Sequence, residues 1–333
     1  MIEATSPGRC GIVGNPSDMY GGAVLSVTTR ERARCVIAPG AELAIAAGAL
    51  RAAVRDEDDL APRGDALDIA RAVLRHFRVR PYREHIQLTL TTDIPMKAGM
   101  AGSTALVVAA VGALARHLRV ALHPWAVAEA ARLVEARIMG VLCGFQDQHM
   151  AVFGGLNLMD FAGKESLEQR ADEPLATIEP LATWAPRVPL LAAHTGVEHH
   201  SGAVHRSPRE RWLEGEPLVV DSYQRIAALA RPAKRALLDS QWERLGALMN
   251  ENHALVADLG GSGPENERLI GAARRSGAWG AKLAGAGGGG TVLVLAEDLE
   301  GTAAALREAG AERILVPEPG PGLIVSAREA PAP

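Results

Sequence analysis

The chain has 333 residues, of which 48% are hydrophobic and 22% charged, and a formal net charge of −4. That length supports about two domains with cores of their own, and a near-neutral, interspersed charge excludes a surface built for nucleic acid or anionic membrane. Cys10, Cys35 and Cys143 are too widely spaced for a disulfide framework or a zinc motif and point to a reducing cytoplasm.

Residues 1–7 lack the basic and apolar blocks of a signal peptide, and the longest apolar run, 105–115, is too short to span a bilayer. The expectation is a soluble cytoplasmic protein. In chain order, residues 2–50 read as short strands and turns, with strand-like 23–28 and 33–37 following Gly21-Gly22. Helical periodicity runs over 65–77 through Leu67, Ala70, Val73, Leu74 and Phe77, with Asp65 placed to cap it. Residues 85–92 alternate as a half-buried strand, and 103–118 form an apolar helix. Pro124, at the first-turn position proline favours, opens a helix to about 139.

Gly154-Gly155 breaks the chain before a strand at 156–161, and 162–187, rich in Glu, Pro and Ala, reads as a connector. A strand at 188–193 opens a second domain. Helices follow over 219–230, 235–248 and 265–277, then strands at 279–283 and 291–295, and finally at 313–316 and 323–326. The clustering predicts an α+β fold in two domains, 1–187 and 188–329, with a frayed tail beyond.

Between the strand at 85–92 and the helix at 103–118 lies Pro95-Met96-Lys97-Ala98-Gly99-Met100-Ala101-Gly102-Ser103-Thr104-Ala105. A glycine-rich turn opening into a helix presents unpaired N–H groups at the positive end of the dipole, an arrangement that holds phosphate. No Gly-Lys-Ser/Thr closes it, so it is not a Walker turn. Taken alone, a junction without a ligand explains it equally well. Two further glycine-rich segments, near 7–22 and 282–291, add weight to the phosphate reading.

Those three segments, in order and spacing, resemble the motifs of the GHMP kinases. Pro7-Gly8-Arg9-Cys10-Gly11-Ile12-Val13-Gly14-Asn15-Pro16-Ser17-Asp18-Met19-Tyr20-Gly21-Gly22 resembles the first motif, Pro95 to Ala105 the phosphate loop, and Lys282-Leu283-Ala284-Gly285-Ala286-Gly287-Gly288-Gly289-Gly290 the third motif. Gly14-Asn15-Pro16-Ser17-Asp18, where galactokinases carry Gly-Glu-His-Thr-Asp, and Gly99-Met100-Ala101-Gly102-Ser103-Thr104 are similar to glucuronokinases. Ser201 to His205, continuing to Arg211-Trp212-Leu213, shares that likeness. Gly144 to Gln148 and Met249 to His253 also resemble bacterial heptose-phosphate kinases.

The resemblance implies a two-domain fold, the N-terminal domain like ribosomal protein S5 domain 2 and the C-terminal one ferredoxin-like, with the site in the cleft between them. It implies an ATP- and Mg²⁺-dependent sugar kinase acting on a small-molecule sugar or sugar acid, first of all on the anomeric hydroxyl of D-glucuronate. A heptose phosphate, a neutral hexose or mevalonate is the alternative acceptor. A sugar or nucleotide sensor without turnover and a GHMP decarboxylase are further options. No nucleic-acid or membrane partner is expected, and the chain would act as a monomer or homodimer.

Residue by residue, the resemblance makes Asp147 the base that accepts the hydroxyl proton and Arg9 the cation that steadies it; as plain sequence Asp147 reads as an aspartate in a helix-capping turn. Pro95, Gly99, Met100, Ala101, Gly102, Ser103 and Thr104 would hold the triphosphate. Lys97 lies in the same turn, though the family places no contact there. Ser103 and Glu135 would be the magnesium ligands, with Glu129 competing for the second place. Without the resemblance Ser103 caps a helix and Glu135 is a helix-face carboxylate beside Arg132. Asn15, Asp18 and Tyr20 correspond to the sugar-contacting part of the first motif, with an Asx turn as the other reading of Asp18. Gly287 and Gly288 would close against phosphates or acceptor. A uronate carboxylate needs a cation, and His205, Arg206 and Arg211 lie in the densest basic stretch of the second domain, which serves a solvated loop as well.

Overall fold

The computed structural model describes residues 1–164, 173–196, 207–285 and 290–327. Two long strands open the chain, β1 (Ile2–Val13) and β2 (Ala23–Pro39), the second with several β-branched residues. After them come β3 (Ala44–Ala47), β4 (Leu50–Ala53), α1 (Asp68–His76), β5 (Ile86–Thr92) and α2 (Gly102–His117). α3 (Pro124–Leu133) passes directly into a π-helical turn (Val134–Ile138), followed by α4 (Gln146–Phe153), β6 (Leu156–Asp160) and β7 (Thr177–Pro180). The second half contains β8 (Leu190–His194), α5 (Pro208–Leu213), α6 (Pro217–Leu238), α7 (Trp242–Asp258), α8 (Pro264–Arg275), β9 (Gly280–Leu283), β10 (Thr291–Leu295), α9 (Leu299–Glu308), β11 (Arg313–Leu315) and β12 (Ile324–Ala327).

The first sheet runs β12-β1-β2-β5-β3-β4, with β6 on the early part of β2 and β7 on β6. β3 lies parallel to β5 and the other pairs are antiparallel. The second sheet, β11-β8-β10-β9, is antiparallel with helices crossing after β8 and β10, a ferredoxin-like order. α2 is buried continuously over residues 104–115 and packs on β1 and β2, because a helix apolar all round has no face to give to water. α6 packs on β2 and α7 on β9, so the helices of the second half reach both sheets. Among the described residues, no helix is long and apolar enough to cross a membrane.

Several expectations are corrected. The short strands expected over 2–50 are two long ones, β1 bending through irregularities between Pro7 and Arg9 and between Gly11 and Val13. Helices expected at 219–230 and 235–248 are instead α6, which runs through Pro232, and α7; the break falls at Ser240, which adopts a left-handed φ of 54°. Proline inside a helix costs about 3 kcal/mol, but the buried stripe Val219, Ile226, Leu229, Ala230, Ala233, Ala236 and Leu237 spans it and outweighs that cost. The connector at 162–187 contributes β7, α1 begins at Asp68 rather than 65, and α9 went unread. β12 pairs with β1, so the last strand belongs to the first sheet and residues 188–329 are not all second-domain chain.

Candidate active site

Arg9, from the middle of β1, meets Asp147 in the first turn of α4. Nε donates to Oδ1 at 2.8 Å and Nη2 to Oδ2 at 3.0 Å. The Arg9 side chain is 4% exposed and that of Asp147 27%, so the carboxylate is open to solvent on one side while its cation is buried. Burial works against the Arg9 charge, but the ion pair with Asp147 outweighs it and holds the guanidinium above its ordinary pKa. Nη1 also donates to the carbonyls of Gly99 (2.5 Å) and Ala284 (3.3 Å), and the Arg9 N–H to Met100 O at 3.1 Å. One arginine therefore ties Asp147 to the glycine turn at 95–105 and to the third glycine-rich segment.

The phosphate turn has the conformation its glycines require. Gly99 adopts φ 74°, and Ala101, immediately before α2, adopts φ 59°, a left-handed conformation costing an alanine about 1–2 kcal/mol. Lys97 is exposed, Pro95 half-buried, and the Met100 side chain lies in the core. Gly285 closes on the turn: a Cβ there would come within 2.7 Å of Gly99 O.

Ser103 is exposed and caps no helix N–H, which removes the capping role for it. The hydroxyl that reaches Glu135 is the next one. Thr104 Oγ1 donates to Glu135 Oε1 at 2.8 Å, and Gln148 Nε2 donates to Oε2 at 2.6 Å. One residue along a helix turns the side chain by about 100°, and that phase decides which of the two hydroxyls faces α3. Glu135 lies in the π-helical turn, a geometry that recurs at functional sites. Glu129, the competing candidate, instead pairs with buried Lys164 at 2.8 Å.

Burial drives the Glu135 pKa up to about 7 against the two hydrogen bonds, and the nearby Asp147 charge adds to the rise. A divalent cation beside it would favour the ionised form. Among the described residues no cluster of three His, Cys, Asp or Glu side chains gathers to hold a metal. One carboxylate and one hydroxyl are the sparse protein donor set that Mg²⁺ accepts when phosphates and water complete its shell, so the residues fit that ion.

The first motif departs from expectation. Asp18 is 3% exposed, and its Oδ2 accepts the N–H groups of Phe145 (2.8 Å) and Gln146 (3.0 Å), while Oδ1 accepts the Gln146 amide at 3.3 Å. It caps α4 from a distant part of the chain and sets the position of Asp147. Gly144 has no side chain because the Asp18 carboxylate occupies the space a Cβ would fill. Asn15 is also turned inward: its amide donates to Gly285 O at 2.7 Å and its Oδ1 accepts from Lys282 Nζ at 2.8 Å. Neither side chain is left open for sugar hydroxyls in the way expected. Tyr20 is half-buried, its ring tilted against Trp212 and Tyr223 with centroids 4.2 and 4.4 Å away.

Two residues that the sequence offered only as members of quoted motifs, Asn252 and Lys282, hold this arrangement together. Asn252 of α7 accepts from Gly14 N at 2.8 Å and donates to Asn15 O at 3.0 Å. Lys282, 1% exposed, reaches Gly11 O, Asn15 Oδ1 and Leu283 O. An isolated asparagine or lysine carries no signal of such a role. Arg211, expected to meet a substrate carboxylate, is committed to Glu216 through two hydrogen bonds of 2.8 and 2.6 Å. His205, Arg206, Gly287 and Gly288 lie outside the described residues.

The Asp147–Arg9 pair, the glycine turn at a helix start and the two-sheet fold are arranged as a small-molecule kinase would need them. The GHMP kinase N-terminal domain matches residues 66–155 and the GHMP kinase C-terminal domain residues 233–313. Glucuronokinase 1 of Arabidopsis thaliana is 30% identical over 312 residues, 86% of this chain and 83% of that protein. Mevalonate kinase of Pyrococcus furiosus is 31% identical over 231 residues, 68% of this chain and 64% of that one. The crystal structure of a D-glycero-D-manno-heptose 1-phosphate kinase from Bacteroides thetaiotaomicron superposes with a TM-score of 0.73 at 18% identity, covering 99% of this chain and 100% of the other. The chain belongs to the GHMP kinase family. It is a phosphotransferase with an alcohol acceptor.

Proposed function

We propose that this kinase transfers the γ-phosphoryl group of ATP to the anomeric hydroxyl of D-glucuronate, giving glucuronate 1-phosphate and ADP. The observation that carries the substrate is the likeness to glucuronokinase 1, which extends over 86% of the chain and 83% of that relative, whereas the mevalonate kinase match stops at 68% and 64%. In this reading Asp147 accepts the proton of the anomeric hydroxyl as its oxygen bonds to phosphorus, and the bridging oxygen leaves with ADP. Arg9 fixes the orientation of both carboxylate oxygens of Asp147 through its bidentate fork. The N–H groups at the start of α2 hold phosphate oxygens. Thr104 and Glu135 would hold Mg²⁺, which when bound neutralises phosphate charge. A heptose phosphate, neutral hexose or mevalonate is the second reading, supported by the mevalonate kinase likeness. A sensor without turnover is opposed by the presence of the Arg9–Asp147 pair together with Glu135.

The test is a panel of sugars, sugar acids and mevalonate with ATP, read as ADP formation. D-glucuronate is expected to exceed D-glucose and mevalonate in kcat/KM; efficient turnover of either of these without glucuronate removes the substrate assignment. Magnesium titrations test the metal pair. Thr104→Val and Glu135→Gln are each expected to raise the Mg²⁺ concentration for half-maximal rate about tenfold or more, as loss of one of few protein oxygens would. Ser103→Ala should shift it far less. The reverse order would return the metal to Ser103.

A further inference from the structure

We propose that Arg209 is the residue that reads the acceptor's carboxylate and so makes this site selective for a sugar acid; the proposal rests on the uronate reading above. Arg209 lies on α5, the short helix whose Trp212 packs tilted against Tyr20, centroids 4.2 Å apart. With Tyr223 from α6, these rings form one aromatic wall against the first motif. Tyr20 follows Asp18, the carboxylate that fixes the start of α4 and hence Asp147. A wall of rings with a few polar groups near the reacting base is the usual make-up of a small-molecule subsite.

The two arginines of α5 differ in their partners. Arg211 is satisfied by Glu216. Arg209 has no ion pair among the described residues, and its Nε is shut off from solvent with no hydrogen-bond acceptor. A guanidinium N–H without water or acceptor is costly, and a carboxylate oxygen is the partner that matches its planar fork. The Arg209 charge also reaches the Tyr20 hydroxyl: burial raises that phenol's pKa and Arg209 opposes the rise. The cation therefore lies at the aromatic wall, where an acceptor held for Asp147 would present its far end. A neutral hexose would leave the Nε unpaired, and that is the source of discrimination.

The experiment measures kcat and KM for D-glucuronate and D-glucose, with KM for ATP, in wild type, R209Q and R209K. The expected result is a fall in the glucuronate-to-glucose ratio of kcat/KM by about 10²–10³-fold in R209Q, the scale of losing one desolvated charge pair. It should come mainly from the KM for glucuronate. R209K, which keeps the charge but loses the fork, should recover about a tenth of the wild-type ratio or more. If wild type prefers glucuronate and R209Q keeps that preference, Arg209 is not the reader and the substrate reading stands. If R209Q loses glucuronate, glucose and ATP equally, the role is structural and the proposal is overturned. A wild type that ignores glucuronate overturns the substrate reading and this inference with it.

Discussion

Asp147→Asn is expected to lower kcat by about 10²–10⁴-fold, the range that a positioned general base contributes. Amide and carboxylate have the same shape, so the first turn of α4, held by Asp18 through Phe145 and Gln146, should remain in place. What is lost is the proton acceptor and the charge that pairs with Arg9. The cation then lies buried with one fewer neutralising group, so a stability loss accompanies the kinetic one. Single-turnover measurements with saturating ATP separate the two, because binding of the nucleotide should change little. A variant that keeps near-wild-type kcat would remove Asp147 from the role of base.

Lys282→Ala should produce the largest loss of stability, about 3–5 kcal/mol by urea unfolding, from a cavity and orphaned acceptors together. Its Nζ is the shared donor for Gly11 O at 3.2 Å, Asn15 Oδ1 at 2.8 Å and Leu283 O at 2.5 Å. Removing it leaves these oxygens buried and cuts the link between the first motif and β9. The same residue predicts a pH dependence. Burial, with Arg9 nearby, lowers its pKa in the folded chain to about 7, against about 10.4 when unfolded. Between those values the unfolded chain binds the proton that the native one has released. Its contribution to stability therefore rises as pH increases from about 7 to 10, and is lost as pH falls back through that window. The difference between wild type and Lys282→Ala, measured from pH 7 to 10, should show that slope. Parallel curves would mean that Lys282 stays charged in the fold.

Much of the site was legible because its chemistry is carried by short segments. In the turn from Pro95 to Ala105 the backbone is left-handed at Lys97, Gly99 and Ala101, and the glycine visible in the sequence falls on one of these, Gly99. Arg9 and Asp147 were named from their places in quoted motifs and Glu135 only as the resemblance implied it, and the structure brings Arg9 to Asp147 and Glu135 to the start of α2. The strands of the second half also follow from period and turn residues, because both are local signals, whereas α5 and α9 were not expected.

Partnership was not legible. The residue numbers alone leave Ser103 and Thr104 equal; the phase of α2 against the π-helical turn points Thr104 at Glu135. Asp18 carries the same carboxylate whether it meets a sugar or a helix start, and the approach of Phe145 and Gln146 decided for the helix. Arg209 and Arg211 stand two apart in one basic stretch, yet Glu216 satisfies only Arg211. Pro232 reads as a helix end until a buried stripe on both sides of it is seen to pack as one surface. The amino-acid sequence by itself determined the elements and the kinds of group available to them. The tertiary structure decided which donor meets which acceptor, since hydrogen bonds and desolvation act between atoms a few ångströms apart that the chain separates by up to hundreds of residues.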